Sequence, residues 1–252
     1  MSLTQQQLDA FVADGFVRIE GAVPRGVAET CRDELWTATG YDPHDPSTWA
    51  ETLVRINGFG TPPFRAAATG PELHEAFDQL VGEGQWLPRT GLGTFPLRFP
   101  GEGEAPEAGW HVESSFAGPD GQSRVSLRSR GRALLMLFLF SDVGPDDAPT
   151  LIRVGSHLDV PAHLSGYGDE GRDWLELCRE VVPASAARPV TQATGALGDV
   201  FLCHPFLVHS AQRHRGRVPR FMAQPPLDPA HDLDLEARPP SPVVRAILDG
   251  LR

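Results

Sequence analysis

The sequence predicts a mainly β protein in which helices flank an antiparallel sandwich or barrel. From about residue 90, short apolar stretches are separated by Gly, Pro and Asp clusters, whereas apolar residues before that point recur at helical intervals. A length of 252 residues suits one domain. We divide it into a helical N-terminal part (1–90), a β core (91–227) with a helical insertion near 169–182, and a C-terminal tail or helix (228–252).

The N-terminal elements follow from capping and turn signals. Thr4 and Gln7 have the spacing of a capping box, and Pro71 suits the first turn of a helix. Apolar positions at helical intervals follow each signal. Helices are therefore predicted over 5–13, 25–39 (ending at Gly40) and 71–81, with a strand in 15–24 and a loop at 41–49.

Seven short apolar segments predict the strands of the core. They are TFPLRF (94–99), WHVESSF (110–116), RVSLRS (124–129), ALLMLFLF (133–140), TLIRV (150–154), DVFLCH (199–204) and RFMAQP (220–225). ALLMLFLF is apolar at every position, which predicts a strand buried on both faces. It is too short to cross a bilayer.

Composition excludes several functions. A formal charge of -11 argues against a nucleic-acid partner or an anionic membrane surface, both of which favour a basic face. All 22 basic residues are arginine, so no lysine-based mechanism is available. Three scattered cysteines, Cys31, Cys178 and Cys203, indicate reduced thiols, and no targeting segment is recognisable. We therefore expect a cytoplasmic protein that binds a small molecule.

Two His-x-acid triplets are candidates for a metal site: His111-Val-Glu113 and His157-Leu-Asp159. In a strand, alternate residues share a face, so His111 and Glu113 would project into the same space. A second histidine would complete the two-histidine, one-carboxylate arrangement that suits non-heme Fe(II) oxygenases. His209 lies 98 positions after His111, far enough for a barrel to close, but only 52 after His157. This spacing favours the first triplet.

Arg220 is a candidate partner of that site. A hairpin centred between His214 and Arg215 would place His209 directly opposite Arg220, with both side chains on one face. An arginine facing the interior is costly unless it binds an anion such as a carboxylate. The alternative is that Arg220 is one of many surface arginines.

Four segments together resemble the phytanoyl-CoA dioxygenase family of Fe(II)- and 2-oxoglutarate-dependent oxygenases, over nearly the whole chain. LTQQQLDAFVADGFVRIEGAVP resembles the opening helix and strand of the family, and GWHVESSF its His-x-Asp segment. APTLIRVGSH resembles its Pro-Gly-Ser-His region, and GALGDVFLCHPFLVHSAQRHRGRVPR its distal His and Arg segment.

The resemblance implies a double-stranded β-helix (jelly-roll, cupin-like) barrel. It also implies that His111, Glu113 and His209 bind Fe(II) and that Arg220 binds the distal carboxylate of 2-oxoglutarate. With O2, such an enzyme oxidises a substrate C–H bond and releases succinate and CO2. The family usually has Asp where this chain has Glu113. By the same resemblance, His157 and His204 would be structural or lie just outside the metal ligands.

Further side chains are candidates for the pocket. Thr150 is a candidate for a hydrogen bond to the co-substrate, and Arg98 for binding an anionic group. Alternation from Arg220 predicts that Met222 and Gln224 also face inward, while Trp110 and Phe116 flank the metal segment. The acidic, Gly- and Pro-rich residues 100–109 predict an entrance loop.

Two other functions remain open at this point. The same three ligands could bind a different metal in a cupin-type hydrolase or isomerase that does not use 2-oxoglutarate. Alternatively, the barrel could bind a ligand without catalysis, which the glutamate at position 113 makes conceivable. Arg220 discriminates between the first alternative and an oxygenase, since such a hydrolase needs no partner for a distal carboxylate.

Overall fold

The computed structural model describes residues 2–103 and 105–252, so Glu104, within the predicted entrance loop, lies outside the described residues. The helices are α1 (Gln5–Asp14), α2 (Arg25–Thr39), α3 (Pro62–Ala68), α4 (Pro71–Leu80), α5 (Trp174–Ala184) and α6 (Pro242–Asp249). The strands are β1 (Phe16–Ile19), β2 (Leu53–Phe59), β3 (Leu92–Arg98), β4 (Phe116–Ala117), β5 (Ser123–Val125), β6 (Leu134–Leu139), β7 (Leu151–Arg153), β8 (Arg172–Asp173), β9 (Val190–Gln192), β10 (Val200–Cys203), β11 (His209–Ser210), β12 (Met222–Ala223) and β13 (Pro226–Leu227). Within these residues, no helix combines the length and apolarity that crossing a bilayer requires.

The predicted N-terminal helices are confirmed, and their ends follow from local chemistry. The Thr4 side chain accepts a hydrogen bond from the Gln7 backbone N–H, and the Gln7 side chain accepts one from the Thr4 N–H, which completes the capping box of α1. Gly15 and Gly40 follow α1 and α2 with left-handed φ angles of 89° and 70°. Pro71 occupies the first turn of α4, as predicted.

The strands form two groups that meet around a cavity, and β4, β5 and β8 form a further small sheet. In the larger group, β10 pairs with β1 on one side and with β6 on the other, while β12 and β13 pair with β6. Backbone hydrogen bonds connect the stretch before β12 to β3, which pairs with β2. In the smaller group, β7 lies between β11 and β9. This confirms a mainly β fold with flanking helices, although the sheets do not close into a continuous barrel.

Strand β6 shows why ALLMLFLF is apolar throughout. Leu135, Leu137 and Leu139 point into a core between the two strand groups, together with Ile152 and Met222. The alternate side chains of β6 belong to a second core, shared with the helices; they are Leu134, Met136 and Phe138. A strand that divides two cores cannot carry polar side chains without cost, so the predicted burial on both faces is confirmed.

The predicted hairpin that pairs His209 with Arg220 is wrong. His209 pairs with Ile152 of β7, and Arg220 pairs with Arg98 at the end of β3. The chain leaves one sheet and enters the other between residues 209 and 220, as strands that switch sheets do in two-sheet folds. An alignment about a local turn cannot represent that crossing.

Other predicted elements also differ from the structure. The segment 110–116 is not a continuous strand: His111 forms a single bridge, and pairing resumes only at β4. The helical insertion begins at Trp174 rather than 169 because Asp173 caps its first turn through the Glu176 N–H. Neither β2 nor α3 was predicted.

His157 and His204 lie away from the cavity, in the core beside the helices. Both are fully buried, with ring centroids 4.8 Å apart. The Nε2 of His157 donates to the carbonyl of Val12 in α1 at 3.0 Å, and that of His204 donates to the carbonyl of Val243 in α6 at 3.2 Å. The two neutral rings therefore connect the terminal helices to the β core.

These histidines give the stability of the fold a pH dependence. Burial lowers the pKa of His157 to about 4, and burial together with the nearby His157 lowers that of His204 well below its usual value. The unfolded chain takes up these protons near pH 6.5, but the folded chain does not. The free energy of unfolding should therefore fall as the pH drops from about 6.5 to 4.

Denaturant titrations at pH 7 and pH 4 would measure this effect with His157→Gln, which keeps a polar side chain but cannot be protonated. Wild type should lose on the order of 2–3 kcal/mol more than this variant between the two pH values. His44→Gln, at an exposed position, should behave as wild type. Equal losses in wild type and His157→Gln would contradict the prediction.

Candidate metal centre and cavity

A pair of backbone hydrogen bonds brings His111 and His209 together. The N–H of each residue donates to the carbonyl of the other, both at 3.0 Å. Because directly opposed residues of this kind place their side chains on one face, the two imidazole centroids lie only 4.5 Å apart. The two histidines, distant in sequence, thus share one wall of the cavity.

Both rings are oriented by main-chain acceptors. The Nδ1 of His111 donates to the carbonyl of Gly109 at 2.8 Å, and the Nδ1 of His209 donates to that of Leu207 at 3.0 Å. A carbonyl can only accept, so Nδ1 carries the proton in each ring and the Nε2 lone pair remains available. This is the tautomer that a metal ligand needs.

Glu113 completes the cluster. Its Oε1 lies 3.3 Å from the Nε2 of His209 and 4.0 Å from that of His111, and one ligand atom from each of the three residues lies within 4.8 Å of the others. His209 is 4% exposed, whereas the side chains of His111 and Glu113 are 29% and 28% exposed. Two imidazole nitrogens and one carboxylate oxygen with an open side fit Fe(II).

Electrostatics hold these groups in their metal-binding protonation states. Burial raises the pKa of Glu113, but the close contact of its Oε1 with the Nε2 of His209 and the charge of Arg132 outweigh that effect and bring the pKa to about 2. Burial and the neighbouring His209 lower the pKa of His111, which is therefore neutral at pH 7. A metal ion would not have to displace protons from either residue.

Arg132 orients Glu113, and sequence reasoning missed it. Its Nη2 donates to the carbonyl of Ser114 at 3.2 Å and lies 3.6 Å from Oε2 of Glu113. The turn that presents Arg132 contains Gly131, with φ of 77°; a Cβ there would lie 2.5 Å from the Ser115 carbonyl oxygen. The turn signal at Gly131 is visible in the sequence, but the segment it packs against is not.

The three side chains open into a cavity of about 610 Å³. Part of its lining follows the alternation of two adjacent chain segments, Thr94, Pro96 and Arg98 of β3 and Arg220, Met222, Gln224 and Pro226 around β12. The rest of the lining, besides the three clustered residues, is formed by Arg55, Glu107, Ala108, Gly109, Trp110, Ser114, Arg132, Thr150, Trp174, Leu175 and Ala211.

Most residues predicted for the pocket lie in it. The structure places Arg98, Trp110, Thr150, Met222 and Gln224 in the lining, and Arg220 joins them although the predicted hairpin is wrong. Phe116 does not line the cavity. Its ring lies under the guanidinium of Arg130, 5.1 Å from the centroid, because pairing at β4 turns it away from the metal cluster.

Trp174 forms a wall that the sequence did not reveal as part of the site. Its indole N–H donates to the carbonyl of Val112 at 2.5 Å, and its ring meets that of His111 edge-on, with centroids 6.3 Å apart. The ring of Trp110, also in the lining, lies under the guanidinium of Arg153 at 4.3 Å. The start of α5 is thus attached directly to the metal segment.

Arg220 is buried, and none of the residues that the structure describes gives it an acidic partner. It is 2% exposed, its Nη1 donates to the carbonyl of Ala148 at 2.6 Å, and its Nη2 donates to that of Pro96 at 3.0 Å. Its Nε has no partner, and no carboxylate of the described residues lies within 4.0 Å of it. Burial and the charge of Arg98 lower its pKa to about 9, so it remains a cation at neutral pH.

Comparisons with known proteins agree with this architecture. A profile of the family described as phytanoyl-CoA dioxygenase (PhyH) matches residues 11–222. No curated protein matches the sequence significantly. One similar solved structure is HygX from Streptomyces hygroscopicus with nickel, 2-oxoglutarate and hygromycin B bound, at 20% identity and a TM-score of 0.56, covering 88% of this chain and 86% of that one. Another is the non-heme alpha ketoglutarate dependent carbocyclase SnoK from nogalamycin biosynthesis, at 15% identity and a TM-score of 0.58, covering 88% of this chain and 82% of that one. At these identities the likeness shows the fold, and it confirms the predicted jelly roll.

Glu113→Gln provides a test of the metal cluster. The substitution keeps the size of the side chain but removes the carboxylate, so the affinity for Fe(II), measured by anaerobic calorimetry, should fall by more than about 100-fold. Residues that only orient metal ligands already contribute roughly 10–100-fold. Glu107→Gln is the matched control, since Glu107 lines the same cavity but pairs with Arg55. Equal effects of the two variants would exclude Glu113 as a ligand.

Proposed function

The chain belongs to the phytanoyl-CoA dioxygenase family, and from that premise we propose that it is an Fe(II)- and 2-oxoglutarate-dependent dioxygenase. It oxidises a C–H bond of a small-molecule metabolite, with release of succinate and CO2. One observation carries this proposal: the cluster of His111, Glu113 and His209 shares a cavity with Arg220, a buried cation that has no acidic partner among the described residues.

In this proposal, Nε2 of His111, Nε2 of His209 and a carboxylate oxygen of Glu113 hold the iron. Fe(II), together with 2-oxoglutarate and O2, supplies the oxidising power that cleaves an unactivated C–H bond. The protein keeps the remaining side of the cluster open, keeps Glu113 ionised and keeps His111 neutral. Arg132 restricts the rotation of Glu113, which is one methylene longer than the aspartate usual in the family.

Arg220 binds the distal carboxylate of 2-oxoglutarate. The buried guanidinium is desolvated, and an incoming carboxylate offsets that cost by a charge-assisted, bidentate contact. The Thr150 hydroxyl is a second candidate partner for the co-substrate: it lies in the same cavity, and its contact in the described structure is a weak one to the sulfur of Met222 at 4.0 Å. A metal-dependent hydrolase or isomerase would have no use for a buried cation at this point.

The walls of the cavity support a small organic substrate. Trp110, Trp174 and Leu175 contribute apolar surface to the lining, while Thr94 and Gln224 contribute polar groups. A volume of about 610 Å³ lies within the range typical of small-molecule sites. The structure of HygX with hygromycin B bound supports the same substrate class by analogy of fold.

A spectroscopic titration tests the proposal. Under anaerobic conditions, Fe(II) and 2-oxoglutarate should together produce the metal-to-ligand charge-transfer band of a chelated 2-oxo acid. Admission of O2 should then yield succinate. Arg220→Ala should weaken the apparent affinity for 2-oxoglutarate by at least about tenfold, the value of a lost charge-assisted hydrogen bond. His111→Ala should lose the band.

Arg172→Ala is the matched control for Arg220→Ala. Arg172 is also largely buried, but its partner is Glu180 and it lies outside the cavity. Absence of the band in wild type, or an unchanged affinity in Arg220→Ala, would refute the assignment of the co-substrate. Retained iron binding in His111→Ala would refute the assignment of the ligands.

A further inference from the structure

Arg98 lies directly opposite Arg220. The N–H of Arg98 donates to the carbonyl of Arg220 at 3.0 Å, and the N–H of Arg220 donates to the carbonyl of Arg98 at 2.8 Å. Residues paired in this way project their side chains to the same side of the sheet. Both side chains accordingly line the cavity that contains the metal cluster.

The two guanidinium groups are buried, and neither has an anionic partner in the part of the chain that the structure describes. Arg98 is 3% exposed and Arg220 is 2% exposed, and the Nε of each lacks a partner. Within residues 2–103 and 105–252, no carboxylate approaches either group to 4.0 Å. The carboxylate with an electrostatic effect on Arg98 is that of Glu107. Arg55 already binds this carboxylate, with its Nε donating to Oε1 at 2.9 Å.

Two adjacent buried cations repel each other and have lost most of their hydration. Burial lowers the pKa of Arg98 and of Arg220, and the charge of Arg98 lowers that of Arg220 further. A single anion placed between them would offset both costs at once. Neither the iron nor its three ligands can supply that anion, because the carboxylate of Glu113 is directed towards the histidines.

We propose that Arg98 and Arg220 together form a two-arginine clamp for the distal carboxylate of 2-oxoglutarate. This inference rests on the proposed function and extends it, since a second cation strengthens discrimination between a carboxylate and an uncharged group at that end of the co-substrate. The clamp should therefore accept 2-oxoglutarate and reject 2-oxo acids of the same length that end in a methyl group.

Arg98 has one other visible role, which the test must separate from the clamp. Its Nη2 donates to the carbonyl of Pro106 at 3.1 Å and so holds the entrance segment. Arg213 makes an equivalent contact from outside the cavity, with its Nε donating to the carbonyl of Gly101 at 3.0 Å. Arg213→Gln therefore removes a comparable contact to the entrance segment and leaves the cavity intact.

The experiment measures the dissociation constants of 2-oxoglutarate and of 2-oxopentanoate from the Fe(II) protein, by anaerobic titration of the charge-transfer band. Arg98→Gln should weaken 2-oxoglutarate binding by about tenfold or more, the value of a lost charge-assisted hydrogen bond. It should leave 2-oxopentanoate, which has no distal carboxylate, within about twofold of wild type on the same basis. Arg98→Lys keeps the charge and should retain part of the preference, and Arg213→Gln should match wild type.

The outcomes separate the two levels of the proposal. If wild type forms no band with 2-oxoglutarate, both the function and the clamp are refuted. If the band forms and Arg220→Gln weakens it, but Arg98→Gln does not change the ratio of the two constants, only the clamp is refuted. An equal effect of Arg98→Gln and Arg213→Gln would reduce Arg98 to a support of the entrance segment. If Arg98→Gln does not fold, Arg98→Lys takes its place. An unchanged ratio of the 2-oxoglutarate and 2-oxopentanoate dissociation constants in Arg98→Lys then refutes the clamp.

Discussion

The two backbone hydrogen bonds between His111 and His209 are the constraint on which the site depends. They join the segment before β4 to the edge of the smaller strand group, beside a second bridge between Ala108 and Ala211, and they fix the spacing of both imidazoles. Glu113 is placed two residues further along the same segment, and Trp174 attaches α5 to its intervening residue, Val112. Without this one bridge, the ligands, the wall formed by α5 and the mouth of the cavity would have no common register.

The second organising feature is electrostatic. The chain carries a formal charge of -11, yet four arginines and only two glutamates line the cavity. They are Arg55, Arg98, Arg132, Arg220, Glu107 and Glu113. The excess of arginine gives the cavity a local positive potential, which favours an anion once it has entered, within a chain whose net charge is negative. Main-chain carbonyls accept hydrogen bonds from the buried Arg98 and Arg220 in place of water, which offsets part of the free energy lost when these charges leave solvent.

Much of the fold and part of the site could be predicted from the sequence, because the signals that specify them are local. Capping at Thr4, the unbroken apolar run of β6 and the alternation that places Met222 and Gln224 beside Arg220 each depend on short-range geometry. The crossing between sheets after His209 is not local, so the predicted hairpin was wrong even though Arg220 reaches the cavity. Phe116 was misplaced for the same reason: strand alternation was extended through a segment in which only His111 pairs.

The residues that sequence reasoning missed act across long separations. Arg132 reaches Glu113 from a turn 19 positions later, and Trp174 meets His111 from a helix more than 60 positions later. Neither has a spacing that marks it as part of a metal site, and an arginine near a turn or a tryptophan at the start of a helix is unremarkable by itself. Only the packing of β4, β5 and β8 beside the metal segment brings them into place.

The ring orientation of both histidines depends on acceptors that every amino acid possesses. The carbonyls of Gly109 and Leu207 belong to the main chain, two positions before each ligand. Replacing Leu207 changes its side chain but leaves its carbonyl as an acceptor, whereas Gly109, with a φ of 151°, has a backbone conformation that other residues rarely adopt. The orientation of both imidazoles therefore depends on the path of the main chain rather than on neighbouring side chains, so substitutions elsewhere in the lining can reshape the cavity without turning the two rings.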